Sequence, residues 1–233
     1  MVRNNRLMAE TEPGPITDDG CPVLVYADLP EQGEAALVAQ HCPPGGSVLD
    51  LGAGTGRIAD PLAVEGFDVL AVDSSAEMLA HIQQAASMQT QIEGLDLRRQ
   101  FDLVLLASHL VNSPMDSTRL ALLQAAARHV GSRGRVLIQW HSPEWFDVLQ
   151  KGANGKGRLG PFEVSLVVHG LHEDILDAIV TYQRGAHAWS QRFQARRLSR
   201  QSLNEAMARC GLSDVIPITQ DGSWLSTSLR EST

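Results

Sequence analysis

The sequence predicts an α/β fold: a largely parallel sheet flanked by helices, with an antiparallel β-meander inserted late in the chain. Three observations carry this. Residues 45 to 140 alternate short apolar runs with helical patterns, as strand-helix-strand units do. The run Phe101-Asp102-Leu103-Val104-Leu105-Leu106-Ala107 is nearly all apolar, as a strand covered on both faces must be. Residues 162 to 198 then change to a period of two, as in Trp189-Ser190-Gln191-Arg192-Phe193-Gln194-Ala195.

The chain has 233 residues, of which 43% are hydrophobic, enough for one large domain or a domain with a small addition. A formal net charge of -8 argues against a nucleic acid substrate, which needs clustered Lys and Arg. Arg196, Arg197 and Arg200 form one small basic group, which reads as a solvated face. Three widely spaced cysteines, Cys21, Cys42 and Cys210, suit reduced thiols in a cytoplasmic protein. They offer no metal-ligand spacing. No apolar run approaches the ~20 residues of a membrane helix, and the N-terminus lacks the apolar core of a signal peptide.

Residues 1 to 20 are polar and broken by Pro13, Gly14, Pro15 and Gly20, so a flexible tail is expected there. Residues 21 to 233 follow as one domain. Val23-Leu24-Val25-Tyr26 is a short apolar piece. Gly33 to His41 carries a helical pattern, stopped by Cys42-Pro43-Pro44-Gly45-Gly46.

Val48-Leu49-Asp50-Leu51 then reads as a buried strand, and Gly52-Ala53-Gly54-Thr55-Gly56-Arg57 as a turn into a helix. Glycines at such a turn let the backbone bend sharply and let a ligand sit against the peptide planes. The next strand, Phe67 to Val72, ends in Asp73, a carboxylate able to take both hydroxyls of a ribose. A dinucleotide turn would read G-x-G-x-x-G. Here Arg57 stands where its third glycine belongs, and Asp50 precedes the turn.

This stretch resembles motif I of the class I S-adenosylmethionine-dependent methyltransferases, V-L-D-x-G-x-G-x-G. Phe101-Asp102-Leu103-Val104 resembles their motif IV. The resemblance, of the small-molecule, bacterial secondary-metabolism type, is strong over residues 45 to 140. Further on it extends only to the order of elements. It implies a Rossmann-like seven-stranded sheet with helices on both faces and the last strand antiparallel. It also implies S-adenosyl-L-methionine as cofactor and S-adenosyl-L-homocysteine as product. The cofactor residues it implies are Asp50, Gly52, Ala53, Gly54, Gly56, Arg57, Asp73 and Ser74. Tyr26, before motif I, either covers the cofactor or packs.

The remaining elements follow in order. Ile58 to Glu65 is a helix that Pro61 shortens, kinks or delays. Ser74-Ser75-Ala76-Glu77 has the form of a capping box, opening a helix to about Met88. Met78, one turn in, packs on the adenine by resemblance or is plain core. The third strand is expected near Thr90 to Leu97. By resemblance its end offers Gln91, followed by Ile92, to the adenine edge, or Asp96 if the loop is offset. The fourth strand ends at Ser108-His109, which should face the cofactor methionine and the substrate. Asp116 or Ser117 caps a helix closed by Gly131. Gly134 to Trp140 is the fifth strand.

His141-Ser142-Pro143-Glu144-Trp145-Phe146 forms a polar and aromatic mouth at its end. Lys151 to Gly160 is expected as a mobile loop. Phe162 to Val168, Ile175 to Gln183 and Ala188 to Leu198 form a three-stranded meander, so that residues 151–198 act as a lid or dimer surface. Ser199 caps a helix to Cys210. Leu212 to Ile218 and Ser223 to Ser228 close the sheet.

His141 and His109 are the candidate bases, with Glu144 a third, because a histidine titrates near neutrality. Each is equally open to a packing or hydrogen-bonding role. Trp140, Trp145 and Trp189 either stack on a flat or cationic substrate or pack. Three functions follow. The first is in-line methyl transfer to a small molecule of natural-product type, aromatic acceptors included, by a monomer or homodimer. The second is a non-catalytic cofactor-binding partner subunit. The third is nicotinamide-dependent oxidoreduction. Neither a membrane nor a nucleic acid partner is expected.

Overall fold

The computed structural model describes residues 14–149, 152 and 154–231. The part of the expected tail before residue 14 lies outside them. From Pro15 the chain makes a tight reversal, with the Val23 amide donating to the Pro15 carbonyl and Ile16 bridging Pro22. Two short helices follow, α1 (Val23–Ala27) and α2 (Glu34–Ala39). The apolar piece at Val23 is thus helical, and it buries Val23 and Val25 completely.

The sheet takes β1 (Ser47–Leu51), β2 (Asp68–Asp73), β3 (Ala86–Gln89), β4 (Phe101–Leu106), β5 (Val130–Gln139), β10 (Ile216–Pro217) and β11 (Trp224–Thr227). Its order is β10-β11-β5-β4-β1-β2-β3. β1 pairs in parallel with β2 and β4, and β11 runs antiparallel to β5. The expected seven-stranded sheet with an antiparallel closing strand is therefore present. One face is covered by α2 and α3 (Ala59–Val64), which pack with Val48, Val69, Leu103 and Leu105. The other is covered by α5 (Asp116–His129) and α7 (Arg200–Arg209), against Leu49, Leu51, Val104 and Leu106. Alternate residues of β1 and β4 thus bury on opposite faces, which explains why both strands read as unbroken apolar runs. Pro61 is the third residue of α3, where its missing N–H breaks no bond, so the helix is short and not kinked.

Several expected boundaries are corrected. The helix opened near Ser74 ends after four residues, as α4 (Ala76–Leu79), and Ser75 caps it, accepting from the Met78 amide at 3.1 Å. The reason is Asp60. Its carboxylate accepts from the amides of Gln83, Gln84 and Ala85 at 2.8 to 2.9 Å, binding a helix-prone stretch into a turn. The third strand therefore begins at Ala86 and not near Thr90. Its residues are all exposed, so no alternation marks it. Asp96 accepts from the Arg98 amide, and neighbouring Leu97 donates to His129 at the C-terminal end of α5. This is the end of the sheet at which β4 and β5 begin, opposite to the end at which β1 runs into the glycine turn. Neither Asp116 nor Ser117 caps α5: Met115 holds the cap position, and Asp116 is the first helical residue. β5 begins at Val130, so Gly131 lies within a strand.

After α6 (Pro143–Asp147) comes a four-stranded antiparallel sheet, in place of the expected three: β6 (Asn154–Leu159), β7 (Phe162–His172), β8 (Ile175–Arg184) and β9 (His187–Arg196). The glycine-rich stretch read as a mobile loop contains β6. Its glycines hid a strand that pairs with β7 over six residues. Phe146 of α6 packs with Val168, Leu176 and Ala195. Val25 of α1 packs with Phe162, Tyr182 and Trp189. The meander so spans from α1, beside the glycine turn, to α6, beyond the end of β5.

Candidate active site

The C-terminal ends of β1, β2, β4 and β5 meet beneath this meander. At the end of β1, the amides of Gly52 and Ala53 donate to the Val72 carbonyl at 2.8 and 3.0 Å, folding the turn back on β2. Gly52 and Gly56 have φ of 77° and 80° and are close-packed: an added Cβ would meet Leu110 Cδ1 at 2.5 Å and Ile82 Cγ1 at 2.7 Å. A Cβ on Gly54 would meet nothing within 4 Å. The middle glycine thus opens onto free space, while the outer two shape the turn.

Asp73 closes that space. Its Oδ2 accepts from the Gly54 amide and its Oδ1 from the Ser75 amide, both at 2.9 Å. These two bonds fix the carboxylate's plane and leave lone pairs on both oxygens. Ser74 lies between Asp73 and the α4 cap, and its carbonyl accepts from Gln89.

Asp50 lies beneath the turn with 2% exposure, and its Oδ1 has no hydrogen-bond partner among the described residues. Burial pushes its carboxyl up to about 7; Arg57 opposes this and Asp73 adds to it. Arg57 pairs with Glu34 of α2 at 2.5 Å. Burial works to raise Glu34, but the Arg57 hydrogen bond and the Gln32 amide prevail and hold it below the usual carboxylate range.

Tyr26 stands over the turn: its carbonyl accepts from Thr55 Oγ1 at 3.0 Å and its hydroxyl donates to Gln191 of β9 at 3.3 Å. Met78 is buried against Cys21 and Val23, with the Tyr26 ring beside them. Gln91 is exposed just past β3, and Ile92 is half-buried on the core.

Just past the end of β4 the backbone is strained. Ser108 and His109 have consecutive left-handed φ of 52° and 59°. Such residues cost about 1 kcal/mol or more each and collect at functional sites. The Ser108 amide donates to Gln139 Oε1 at 2.9 Å. His109, His141 and Trp145 form a face-to-face column, with centroids 3.6 and 3.8 Å apart and rings tilted by 13° at each step. His109 Nδ1 is buried and has no partner among the described residues. Burial lowers His109 to about 4. Burial, and then the neighbouring His109, lowers His141 to about 3. Both rings are uncharged at neutral pH. Glu144 is exposed as the second residue of α6, and a hydrogen bond from Ser142 holds its carboxyl below the usual range.

Two residues that the sequence reading passed over organise this end. Asn112, 2% exposed, accepts from the His141 amide and donates to the carbonyls of His141 and Arg196. Arg119 of α5, 4% exposed, donates to the carbonyls of Val111 and Ser113 on either side of it. Neither sits in a motif. An amide directly after an apolar pair, as Asn112 follows Leu110-Val111, was the one available signal. Trp140 and Trp189 are 3% and 7% exposed and pack, whereas Trp145 is half-buried with His141 stacked on its ring.

These groups fit an adenosyl cofactor: a hydroxyl-binding carboxylate, an open peptide edge, and a buried unpartnered acid beside it. Among the described residues, no three His, Cys, Asp or Glu side chains are grouped to hold a metal, and no helix is long and apolar enough to cross a membrane.

A family model described as a methyltransferase domain matches residues 29–215. Two curated relatives share parts of the chain. The Bacillus subtilis (strain 168) protein YqeM, named for methyl transfer, is 40% identical over 78 residues, 30% of this chain and 32% of that one. The cypemycin N-terminal methyltransferase of a Streptomyces species is 30% identical over 125 residues, 50% of this chain and 51% of that one. The chain thus spans about a third and about half of their lengths. Among solved structures, a Clostridium acetobutylicum ATCC 824 S-adenosylmethionine-dependent methyltransferase aligns with a TM-score of 0.71 at 14% identity, covering 89% of this chain and 95% of that one. CalS10, an amino pentose methyltransferase from Micromonospora echinaspora solved with S-adenosylmethionine bound, aligns at 0.67 and 21% identity, covering 85% and 90%. The extent of the family match, joined to the sheet order and the glycine turn, makes this chain a member of the methyltransferase-domain family, with the class I fold of S-adenosylmethionine-dependent enzymes.

Proposed function

We propose that this chain transfers the methyl group of S-adenosyl-L-methionine to a small-molecule acceptor of natural-product type, by in-line displacement. The observation that carries the reading is the open space above Gly54, bordered by the fixed Asp73 carboxylate and by the unpartnered Asp50. When bound, the cofactor supplies a methyl group made electrophilic by its sulfonium.

The chain's own residues hold and orient. Asp73 grips the ribose hydroxyls, with Ser74 and the Gly52-Ala53-Gly54-Thr55-Gly56 turn beneath. Met78, Gln91 and Ile92 border the adenine, and Tyr26 covers it from the meander side. Asp50, tuned by Arg57, and Ser108 face the amino-acid end. A meander overhead excludes water, which sharpens every polar interaction below it.

Of the candidate bases, His109 is favoured over His141, because its Nδ1 lacks a partner. Burial keeps it uncharged at pH 7 but also makes it a weak base, which suits a hydrogen bond to the acceptor better than removal of its proton. Glu144, exposed on α6, is better placed to meet an acceptor's charge at the mouth than to take its proton.

Two measurements test this together. Calorimetry with S-adenosyl-L-homocysteine should give a saturable heat that Asp73→Ala abolishes, and a labelled methyl group should pass to a small-molecule acceptor. No heat would refute the reading. Heat without transfer across a broad acceptor panel would favour the non-catalytic partner subunit.

A further inference from the structure

A cleft of about 740 Å³ opens between the start of α2 and the segment joining β10 to β11. That volume lies within the range of small-molecule sites. Its chemistry is unusual for such a site. Gln32, Gln40, Gln139 and Gln220 line it with amides, and Thr219 and Ser223 with hydroxyls. No Lys or Arg lines it, whereas Glu34 and Asp221 do. Asp221 accepts from the amide and hydroxyl of Ser223 at 3.1 and 2.8 Å, and its carboxyl is held below the usual range by Thr219 and Ser223, so it is ionised at neutral pH. Trp224 reaches the wall but is 5% exposed and offers no free ring face.

The cleft joins the transfer site at two points. Gln139 lines it, and its Oε1 receives the Ser108 amide at 2.9 Å. Glu34 lines it too, and pairs at 2.5 Å with Arg57, the residue after the glycine turn. His109 lies within range of both of those charges.

We infer that this cleft binds the methyl acceptor, and that the acceptor is a polyhydroxylated molecule, neutral or bearing an amine, and not an anion or a flat aromatic. Amides and hydroxyls each donate and accept, so they match a ring of hydroxyl groups without fixing one sign of charge. Glu34 is neutralised by Arg57, which leaves Asp221 as the lining charge, and one carboxylate without a cation beside it disfavours phosphate and carboxylate ligands and favours an ammonium. An aromatic acceptor finds no exposed ring on which to stack. The inference rests on the methyl-transfer reading above.

The test uses the full chain and four probes in saturation-transfer NMR: methyl α-D-glucopyranoside, D-glucosamine, glucose 6-phosphate and catechol. The first two should give saturable signals that Gln40→Ala with Gln220→Ala weakens about fivefold or more. Both glutamines are at the protein surface, so the double variant should melt as the parent does. Signals from glucose 6-phosphate or catechol equal to those from the two sugars would overturn the inference. So would sugar signals that the double variant leaves unchanged, or no sugar signal. Calorimetry with S-adenosyl-L-homocysteine on the same samples keeps the two readings apart. Cofactor heat without sugar binding sinks the cleft alone, and sugar binding without cofactor heat sinks the methyl-transfer reading while upholding the cleft's ligand class.

Discussion

Asn112 holds His141 by its main chain from both sides: Oδ1 accepts the His141 amide at 2.8 Å, and Nδ2 donates to the His141 carbonyl at 3.1 Å and to Arg196 at 3.0 Å. One buried amide thereby ties the end of β4, the end of β5 and the last strand of the meander. Replacement by alanine leaves three buried main-chain groups unpaired. Each such group costs about 1 to 3 kcal/mol, so Asn112→Ala should destabilise by about 3 kcal/mol or more. Urea unfolding measures it, and hydrogen exchange over residues 187–196 should rise more than over β1.

The glycines of the turn should separate by function. Gly56→Ala places a Cβ 2.7 Å from Ile82 at a φ of 80°. Strain and overpacking together should cost about 2 kcal/mol. Gly54→Ala meets nothing, so it should cost about 1 kcal/mol for its left-handed φ and still lose cofactor affinity. Thermal melting and calorimetry on both variants check this, and a Gly54→Ala that binds normally would move the cofactor elsewhere.

Asp73 should show a graded response. Asp73→Ala removes a carboxylate that two amides orient, and a charge-assisted hydrogen bond contributes about 1.5 to 3 kcal/mol. Affinity for S-adenosyl-L-homocysteine should fall about 100-fold or more. Asp73→Asn keeps one acceptor oxygen and should lose less. Equal losses would mean that charge alone matters there.

Stability should peak near pH 7 as far as three buried groups decide it. Asp50 is raised to about 7, so the folded state holds a proton that the unfolded chain gives up above about 4. Its stabilisation is complete at low pH and is lost as pH rises to 7. His109 and His141 are lowered to about 4 and 3, so the unfolded chain takes up their protons first as pH falls below about 6.5. Their stabilisation is present above 6.5 and lost towards pH 4. Two histidines outweigh one aspartate between pH 4 and 6.5. Melting temperature should rise across that window, more steeply in Asp50→Asn, and level off near pH 7 in the parent.

The sheet was legible because β1 and β4 bury both faces and leave continuous apolar runs, and because three glycines must stand where a strand turns into a helix. What the sequence hid was set by distant partners. Gln83 and Gln84 favour a helix by themselves, and only Asp60, more than twenty positions earlier, turns them into the lead of an edge strand. That strand exposes every side chain, so it carries no period. β6 hid behind its glycines. In the candidate site, Asp73 and the turn were readable because their spacing is local. Asn112 and Arg119 were not, since their partners are main-chain carbonyls, which leave no trace in residue identity. The column of His109, His141 and Trp145 was readable only as nearby residues in the chain, not as stacked rings.

The grip of Asn112 on the meander has an evolutionary side. It reads the carbonyl of Arg196 and no side chain of that strand, and a carbonyl survives any substitution. Unlike the packing of Phe146 and Val25 on the meander, this one bond places no demand on the side chains of β9, which can change without loss of it.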